Sequence, residues 1–201
     1  MEPFSTAMES MKFNNSETRV KCFGVDCSTK PEASKNVEIL FYNSEEDFAI
    51  KLKTKEGEDV ILYKTTGENK SFGENYEEIK KQQSGYYGKT TFEEDDMLRI
   101  PFIKVNAEIN YDELCGREIK NSGYYIKQAL QTIDFELNNI GGSVKSEAAI
   151  DATRKGIIKN SRKMIFDSDF ILYLKEENKE QPYFALKVDN TDVLVPASVD
   201  E

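Results

Sequence analysis

The sequence predicts an α+β fold, with mostly antiparallel mixed sheets and a few helices, on three observations. Short segments such as Phe48–Lys53 alternate apolar and polar residues, which is typical of half-buried strands. Two denser apolar runs, Phe170–Leu174 and Pro182–Val188, are typical of strands covered on both faces. One segment, Phe72–Gln83, instead has the spacing of an amphipathic helix.

The first predicted strands follow a stretch without clear periodicity. We expect residues 1–36 to be loosely ordered, apart from one strand at Arg19–Val25. From residue 37 the pattern sharpens, and Val37–Tyr42 is predicted to be a strand. The runs Phe48–Lys53 and Asp59–Tyr63 are separated by a charged turn that contains glycine, so they predict a β-hairpin.

A helix and further strands are predicted in the middle of the chain. Within Phe72–Gln83, Tyr76 and Ile79 lie on one side among charged residues. Met97–Ile109 has strand periodicity, and Pro101 marks an edge or a break because proline donates no backbone hydrogen bond. The remaining elements expected here are a loop at Gly85–Thr91, a helical turn at Tyr111–Cys115 and a strand at Thr132–Asn138.

The carboxyl-terminal runs complete the predicted core. We expect Phe170–Leu174 and Pro182–Val188 to form an antiparallel pair, because a short charged turn joins them. The structured domain is therefore predicted to span residues 37–188. A polar and loosely ordered tail, 189–201, is expected to follow it.

The charge and the missing residue types exclude several functions. The chain has 27 basic and 37 acidic residues and a net charge of −10, so neither nucleic acid nor a membrane is an expected partner. It has no histidine, which excludes Ser-His-Asp triads and His-ligated metals, and we predict neither enzymatic activity nor a cofactor. The polar start does not resemble a secretory signal, so a cytoplasmic location is expected.

Three cysteines and two short motifs carry no predicted site. The cysteines are Cys22, Cys27 and Cys115, too few for a disulfide framework, and we interpret them as thiols in a reducing compartment. Gly88-Lys89-Thr90-Thr91 matches the end of a phosphate-binding loop, but Gln83 stands where that motif requires glycine. The acidic run Glu93–Asp96 lacks calcium-loop spacing, so we interpret it as solvated surface and predict no metal site.

The segment Val144–Lys163 is basic inside this acidic protein. Its bases are Lys145, Arg154, Lys155, Lys159, Arg162 and Lys163, and with two acids its net charge is +4. One interpretation is an exposed bait for proteases that recognise a cation before the scissile bond. The other is an amphipathic helix over Ala148–Asn160, favoured by its alanines and weakened by Gly156. The residues alone leave both interpretations open.

The order of features in this part of the chain resembles that of a known family. Ser146-Glu147-Ala148-Ala149 is similar to a hinge of small residues, and Phe166–Leu174 and Pro182–Val188 are similar to the two strands that follow a reactive loop. At these spacings the three blocks resemble the carboxyl-terminal half of the serpins, the serine protease inhibitors. The resemblance covers Val37–Val188, and the family's amino-terminal half has no counterpart in the chain.

The resemblance implies a reactive loop within Val144–Lys163. Its hinge is Ser146, Glu147, Ala148 and Ala149. Its scissile bond lies between Lys159 and Asn160, with Arg154 and Lys155 as alternatives. The implied function is inhibition of a serine or cysteine protease that prefers Lys or Arg.

The same resemblance implies how such a loop acts, and what opposes it here. A cleaved loop enters a sheet as a new strand, with alternate side chains beneath the sheet. In the register that begins with Ser146 inward, Arg154 follows on the buried side, and burying an unpaired charge opposes complete insertion. The alternative function is a non-inhibitory interaction module on the same sheets. Since one half of the family's fold is absent, we expect self-association or pairing with a missing amino-terminal half.

Overall fold

The computed structural model describes residues 9–26, 35–54, 57–67, 70–93, 95–138 and 161–197. Within these ranges the chain forms eleven strands and one α-helix, α1, at Phe72–Gly85, with a 3-10 turn at Asp112–Leu114. The strands are β1 Glu9–Lys12, β2 Arg19–Asp26, β3 Val37–Ser44, β4 Asp47–Lys53, β5 Glu58–Lys64, β6 Met97–Pro101, β7 Ile103–Asn110, β8 Leu130–Leu137, β9 Lys163–Ile165, β10 Phe170–Glu176 and β11 Phe184–Val188. The predicted fold class, mostly antiparallel mixed sheet, is confirmed.

The largest sheet has the order β11–β10–β5–β4–β3, and every neighbouring pair is antiparallel. The predicted hairpin of β4 and β5 and the predicted pairing of β10 with β11 are both confirmed. The apolar run of β10 is buried, as expected for a strand with a neighbour on each side. β11 differs from the prediction, because it is the edge strand of the sheet and is largely half-buried.

A second sheet has the order β1–β2–β6–β9. The pairs β1–β2 and β2–β6 are antiparallel, whereas β9 lies parallel to β6 with Leu98 opposite Met164. β9 is therefore an edge strand of this sheet, whereas β8, the strand before it in the chain, belongs to another sheet.

The transition from β6 to β7 confirms the break predicted at Pro101. β6 ends at Pro101. The next residue, Phe102, donates its N–H to the carbonyl of Lys21 in β2 at 2.9 Å. The Phe102 carbonyl accepts from the Val195 N–H at 3.0 Å. From Ile103 onward, β7 pairs with β8 in a separate two-stranded antiparallel sheet.

Two clusters of apolar side chains form the core. The larger cluster includes Phe48, Leu62 and Ile100, and joins the five-stranded sheet to the four-stranded sheet. The smaller cluster lies where α1 covers the other face of the five-stranded sheet, with Tyr76 and Ile79 buried as predicted. In the described ranges no helix has the length and apolar character needed to cross a membrane.

The two ends of the chain are more ordered than predicted. Phe13, Val20 and Phe23 are buried, since β2 lies between β1 and β6 and apolar residues on it reach the larger core cluster. In the tail, Leu194 is buried and the Val195 carbonyl accepts from the Lys21 N–H at 2.8 Å. The strand predicted at Arg19–Val25 is confirmed as β2. The expectation of loose order is wrong for residues 9–18 and 189–197, where long-range pairing supplies order that local periodicity does not show.

Candidate functional site

The candidate site consists of the two described parts of the fold that flank the segment between β8 and β9. We call residues 139–160 the connecting segment. The predicted hinge, Ser146–Ala149, and the predicted cleavage residues Arg154, Lys155, Lys159 and Asn160 belong to it and lie outside the described residues. The structure describes its two attachments, which are β8 on the upstream side and Arg162 with β9 on the downstream side.

The upstream attachment is a strand with one open edge. β8 pairs with β7 along its whole length, from Ile103 opposite Leu137 to Asn110 opposite Leu130. Its other edge has no strand beside it within the described ranges. Unpaired strand edges present backbone donors and acceptors to any extended chain that approaches them. The upstream attachment is therefore suited to accept a further strand.

A groove lies beneath this open edge. It has a volume of about 560 Å³ and separates β8 from β5, β10 and β11. Its apolar lining includes Ile133, Phe135 and Leu137 from β8, and the Phe135 ring lies 5.9 Å from the Phe184 ring. Because side chains alternate along a strand, an added strand would place every second side chain over this groove.

One rim of the groove is polar and acidic. The Tyr183 hydroxyl donates to the Glu58 carboxylate at 2.8 Å, and Asp134 and Glu136 of β8 are among the residues that line the groove. Partial burial and the hydrogen bond to Glu58 raise the pKa of Tyr183 to about 12. The phenol therefore stays protonated at neutral pH and remains a hydrogen-bond donor to Glu58.

The downstream attachment begins with a buried ion pair. The Arg162 and Asp96 side chains are only 12% and 3% exposed. The Arg162 guanidinium contacts both Asp96 carboxylate oxygens and also donates to the carbonyls of Lys89 and Thr91. The Arg162 backbone N–H donates to the same carboxylate at 3.0 Å, and Glu93 N–H donates to it at 2.8 Å. Charge-assisted hydrogen bonds of this kind are among the strongest in proteins.

Beyond Arg162, strand β9 is short, but Met164 within it and Phe166 directly after it are deeply packed. Met164 and Phe166 are fully buried, and the Phe166 ring lies 4.9 Å from Phe48 and 5.2 Å from Phe170. The buried Lys64 ammonium adds polar contacts, donating to the Ile165 carbonyl at 3.1 Å and to Asp167 at 2.7 Å. The chain that follows the connecting segment is therefore held by both packing and charge.

The Asp96–Arg162 pair makes the downstream attachment sensitive to acid. Burial alone would raise the pKa of Asp96, but hydrogen bonds from Arg162 and from the Glu93 N–H outweigh it and lower the pKa below its ordinary value of 3.8. A carboxylate with a lowered pKa stabilises the fold above its ordinary pKa, and that stabilisation is lost as the pH falls through the folded-state value.

We expect the stability difference between the wild-type chain and Asp96→Asn to be largest above pH 3.8 and to shrink below it. Thermal midpoints measured from pH 7 down to pH 2.5 check this. Asp95→Asn removes the exposed carboxylate next to Asp96 and should keep most of the wild-type pH profile. Parallel profiles for the wild type and Asp96→Asn would contradict the assignment.

Two motifs that the sequence left as surface prove to belong to this attachment. Gly88-Lys89-Thr90-Thr91 supplies the Lys89 and Thr91 carbonyls that accept from Arg162. Asp96, the last residue of the acidic run, is buried rather than solvated, which corrects that interpretation. The described residues hold no cluster of three or more metal-ligating side chains. The sequence signal that was missed is an acidic residue just before one strand and a basic residue just before its parallel neighbour.

The cysteines lie apart from this site. Cys22 is buried in β2 and Cys115 is an exposed free thiol, whereas Cys27 lies outside the described residues.

Comparisons with known proteins place the fold. No protein-family model matches the chain, and no curated protein does so either. Among solved structures, Serpin48, described as a highly specific serpin in the insect Tenebrio molitor, matches 94% of this chain and 52% of its own, with 14% identity and a TM-score of 0.52. Maspin matches 93% of this chain and 53% of its own, with 15% identity and a TM-score of 0.56.

These matches confirm the predicted resemblance at the level of the fold. The chain spans about half the length of the serpins that it matches. The chain therefore has the fold of about half a serpin.

Proposed function

We propose that the protein presents Val144–Lys163 to a protease that prefers Lys or Arg, as a serpin presents its reactive loop. The observation that carries the proposal is the position of the connecting segment in a serpin-like fold, between an open-edged strand and a firmly attached one. The bond that we expect to be cleaved is Lys159–Asn160, with Arg154 and Lys155 as the alternative sites.

We further propose that this chain alone is cleaved rather than acting as a trap. The serpin mechanism requires the cleaved hinge to enter a sheet between two strands. β8 supplies one of these strands, and the described ranges hold no strand on the far side of its open edge. An inward Arg154 adds the cost of burying an unpaired charge, so insertion is slow and ordinary hydrolysis completes first.

Limited digestion with trypsin tests both statements. We expect first cuts after Lys159, Arg154 or Lys155, and no protease complex that survives a denaturing gel. After the cut, the two fragments should still elute together from gel filtration, because β9 and β10 pair with β6 and β5. Mass spectrometry of the fragments identifies the bond.

The control for this digestion is a lysine in another exposed turn. Lys159→Ala should remove the preferred cut, whereas Lys179→Ala, in the turn between β10 and β11, should leave the digestion unchanged. A denaturant-resistant complex would contradict cleavage without trapping. First cuts confined to residues outside Val144–Lys163 would contradict the proposal that this segment is presented to a protease.

The second candidate function is a non-inhibitory module that associates with a second copy of itself along β8. The groove and the open strand edge favour it. Sedimentation at rising concentration should then show dimers that Ile133→Glu, on the groove face, abolishes. Asn110→Glu, exposed on the neighbouring strand β7 and outside the groove lining, is the matched control. A monomer at every concentration would exclude this candidate.

A further inference from the structure

Arg162 differs from its basic neighbours in being removed from solvent. It is separated from the connecting segment by Ser161 alone, and its charge would suit a trypsin-like protease. Its side chain is 12% exposed, whereas that of the adjacent Lys163 is 49% exposed and pairs with Glu45 at 3.3 Å. A protease that recognises cations therefore meets one available and one enclosed base at this end of the segment.

The backbone around Arg162 is engaged as well as the side chain. Its N–H donates to Asp96, and its carbonyl accepts from the Met97 N–H at 3.0 Å. Cleavage requires an extended backbone free to pair with the protease, and a cationic side chain free to enter the specificity pocket. Neither condition holds at Arg162 while it remains paired with Asp96.

The guanidinium geometry makes this enclosure specific to arginine. One planar group reaches the Asp96 carboxylate and two backbone carbonyls at once, those of Lys89 and Thr91. A lysine ammonium is a point charge that cannot span these acceptors in the same plane. The two strands that the pair connects, β6 and β9, are joined otherwise over only three residue pairs.

We propose that the Asp96–Arg162 pair sets the downstream limit of cleavage, by holding β9 in its sheet and protecting the bond between Arg162 and Lys163. Arg162 is a positioning residue in this role. This inference rests on the proposed function, since it defines where the accessible bait ends. Without the pair, the short edge strand β9 opens first, because it has few pairing residues and a neighbour on one side only. Protease cleavage then extends past residue 161.

The test follows the Arg162–Lys163 bond by mass spectrometry during trypsin digestion of the full chain. In the wild type, this bond should stay intact while bonds in the connecting segment are cut. In Asp96→Asn and in Arg162→Lys, which trypsin still recognises, cleavage after residue 162 should accelerate about tenfold or more. Asp95→Asn, which removes the exposed carboxylate next to Asp96, is the matched control and should behave as the wild type.

Hydrogen exchange separates this role from general stabilisation. The amides of Met164 and Ile165 in β9 should exchange faster in both variants, while those of Leu172 and Tyr173 in β10 keep their wild-type rates. Equal acceleration in β9 and β10 would show that the pair stabilises the whole fold, and would overturn the proposal. Cleavage after Arg162 in the wild type, or continued protection in both variants, would also overturn it.

The test of the Asp96–Arg162 pair can fail or succeed independently of the proposed function. If the connecting segment resists trypsin, the proposed bait is wrong, yet the Arg162–Lys163 bond and the β9 amides still report on the pair. The urea-unfolded chain supplies the reference rate at which trypsin cuts after Arg162 without any structure.

Discussion

Phe166→Ala is expected to lower the free energy of unfolding by about 3–5 kcal/mol. The Phe166 side chain is 0% exposed and packs between Phe48 of β4 and Phe170 of β10, with ring centroids 4.9 and 5.2 Å away. Its removal leaves a cavity beneath β9 that the surrounding rings cannot fill without leaving their own contacts. Urea unfolding followed by circular dichroism measures the change.

The control is the same substitution at an exposed phenylalanine. Phe72 is 45% exposed at the start of α1, so Phe72→Ala should cost about 1 kcal/mol. If Phe166→Ala lowered the free energy of unfolding no more than Phe72→Ala, this would contradict the packing of Phe166 between Phe48 and Phe170. A changed slope of unfolding free energy against urea would instead indicate a less compact native state.

Among glycine-to-alanine substitutions in the described part of the chain, Gly24→Ala should lower the free energy of unfolding the most. A Cβ atom at Gly24 would lie 1.9 Å from the Leu98 carbonyl oxygen, well inside any tolerated contact. That oxygen belongs to the backbone of β6, so relief requires β2 and β6 to separate where Gly24 faces Arg99. We expect a loss of about 3 kcal/mol in the free energy of unfolding, measured as for Phe166→Ala.

A glycine in open space supplies the matched comparison. No atom lies within 4 Å of the Cβ position at Gly73, in the first turn of α1. Gly73→Ala should therefore raise stability by about 0.5 kcal/mol, since alanine loses less backbone entropy in a helix. Equal effects of Gly24→Ala and Gly73→Ala would mean that β2 and β6 are not in close contact.

The candidate site was predictable from the sequence only in outline. The basic character of Val144–Lys163 and the order of the blocks around it predicted a loop between two strands and a serpin-like fold, because composition and spacing are carried by contiguous residues. The role of Arg162 was not predictable in this way. Its partner Asp96 is 66 positions away in the chain, and both residues stand in charge runs that are ordinarily solvated.

By itself the sequence determined most of the local structure of this protein. Alternation over Phe48–Lys53, helical spacing from Phe72 onward and the break at Pro101 are each visible in a few neighbouring residues, and each is confirmed. These patterns suffice because a strand or a helix must bury one face, and the period of its apolar residues reveals which element can do so.

Tertiary structure alone decided which distant segments meet. It placed Phe13 against Phe170, with ring centroids 6.2 Å apart, and brought the tail around Leu194 beside β7, although neither stretch has a clear period. It also left β8 with an open edge, and it enclosed Arg162 while leaving Lys163 half exposed. The physical reason is that burial and pairing of charge depend on what packs against a residue, and contacts between segments far apart in the chain leave no periodic signal in either one.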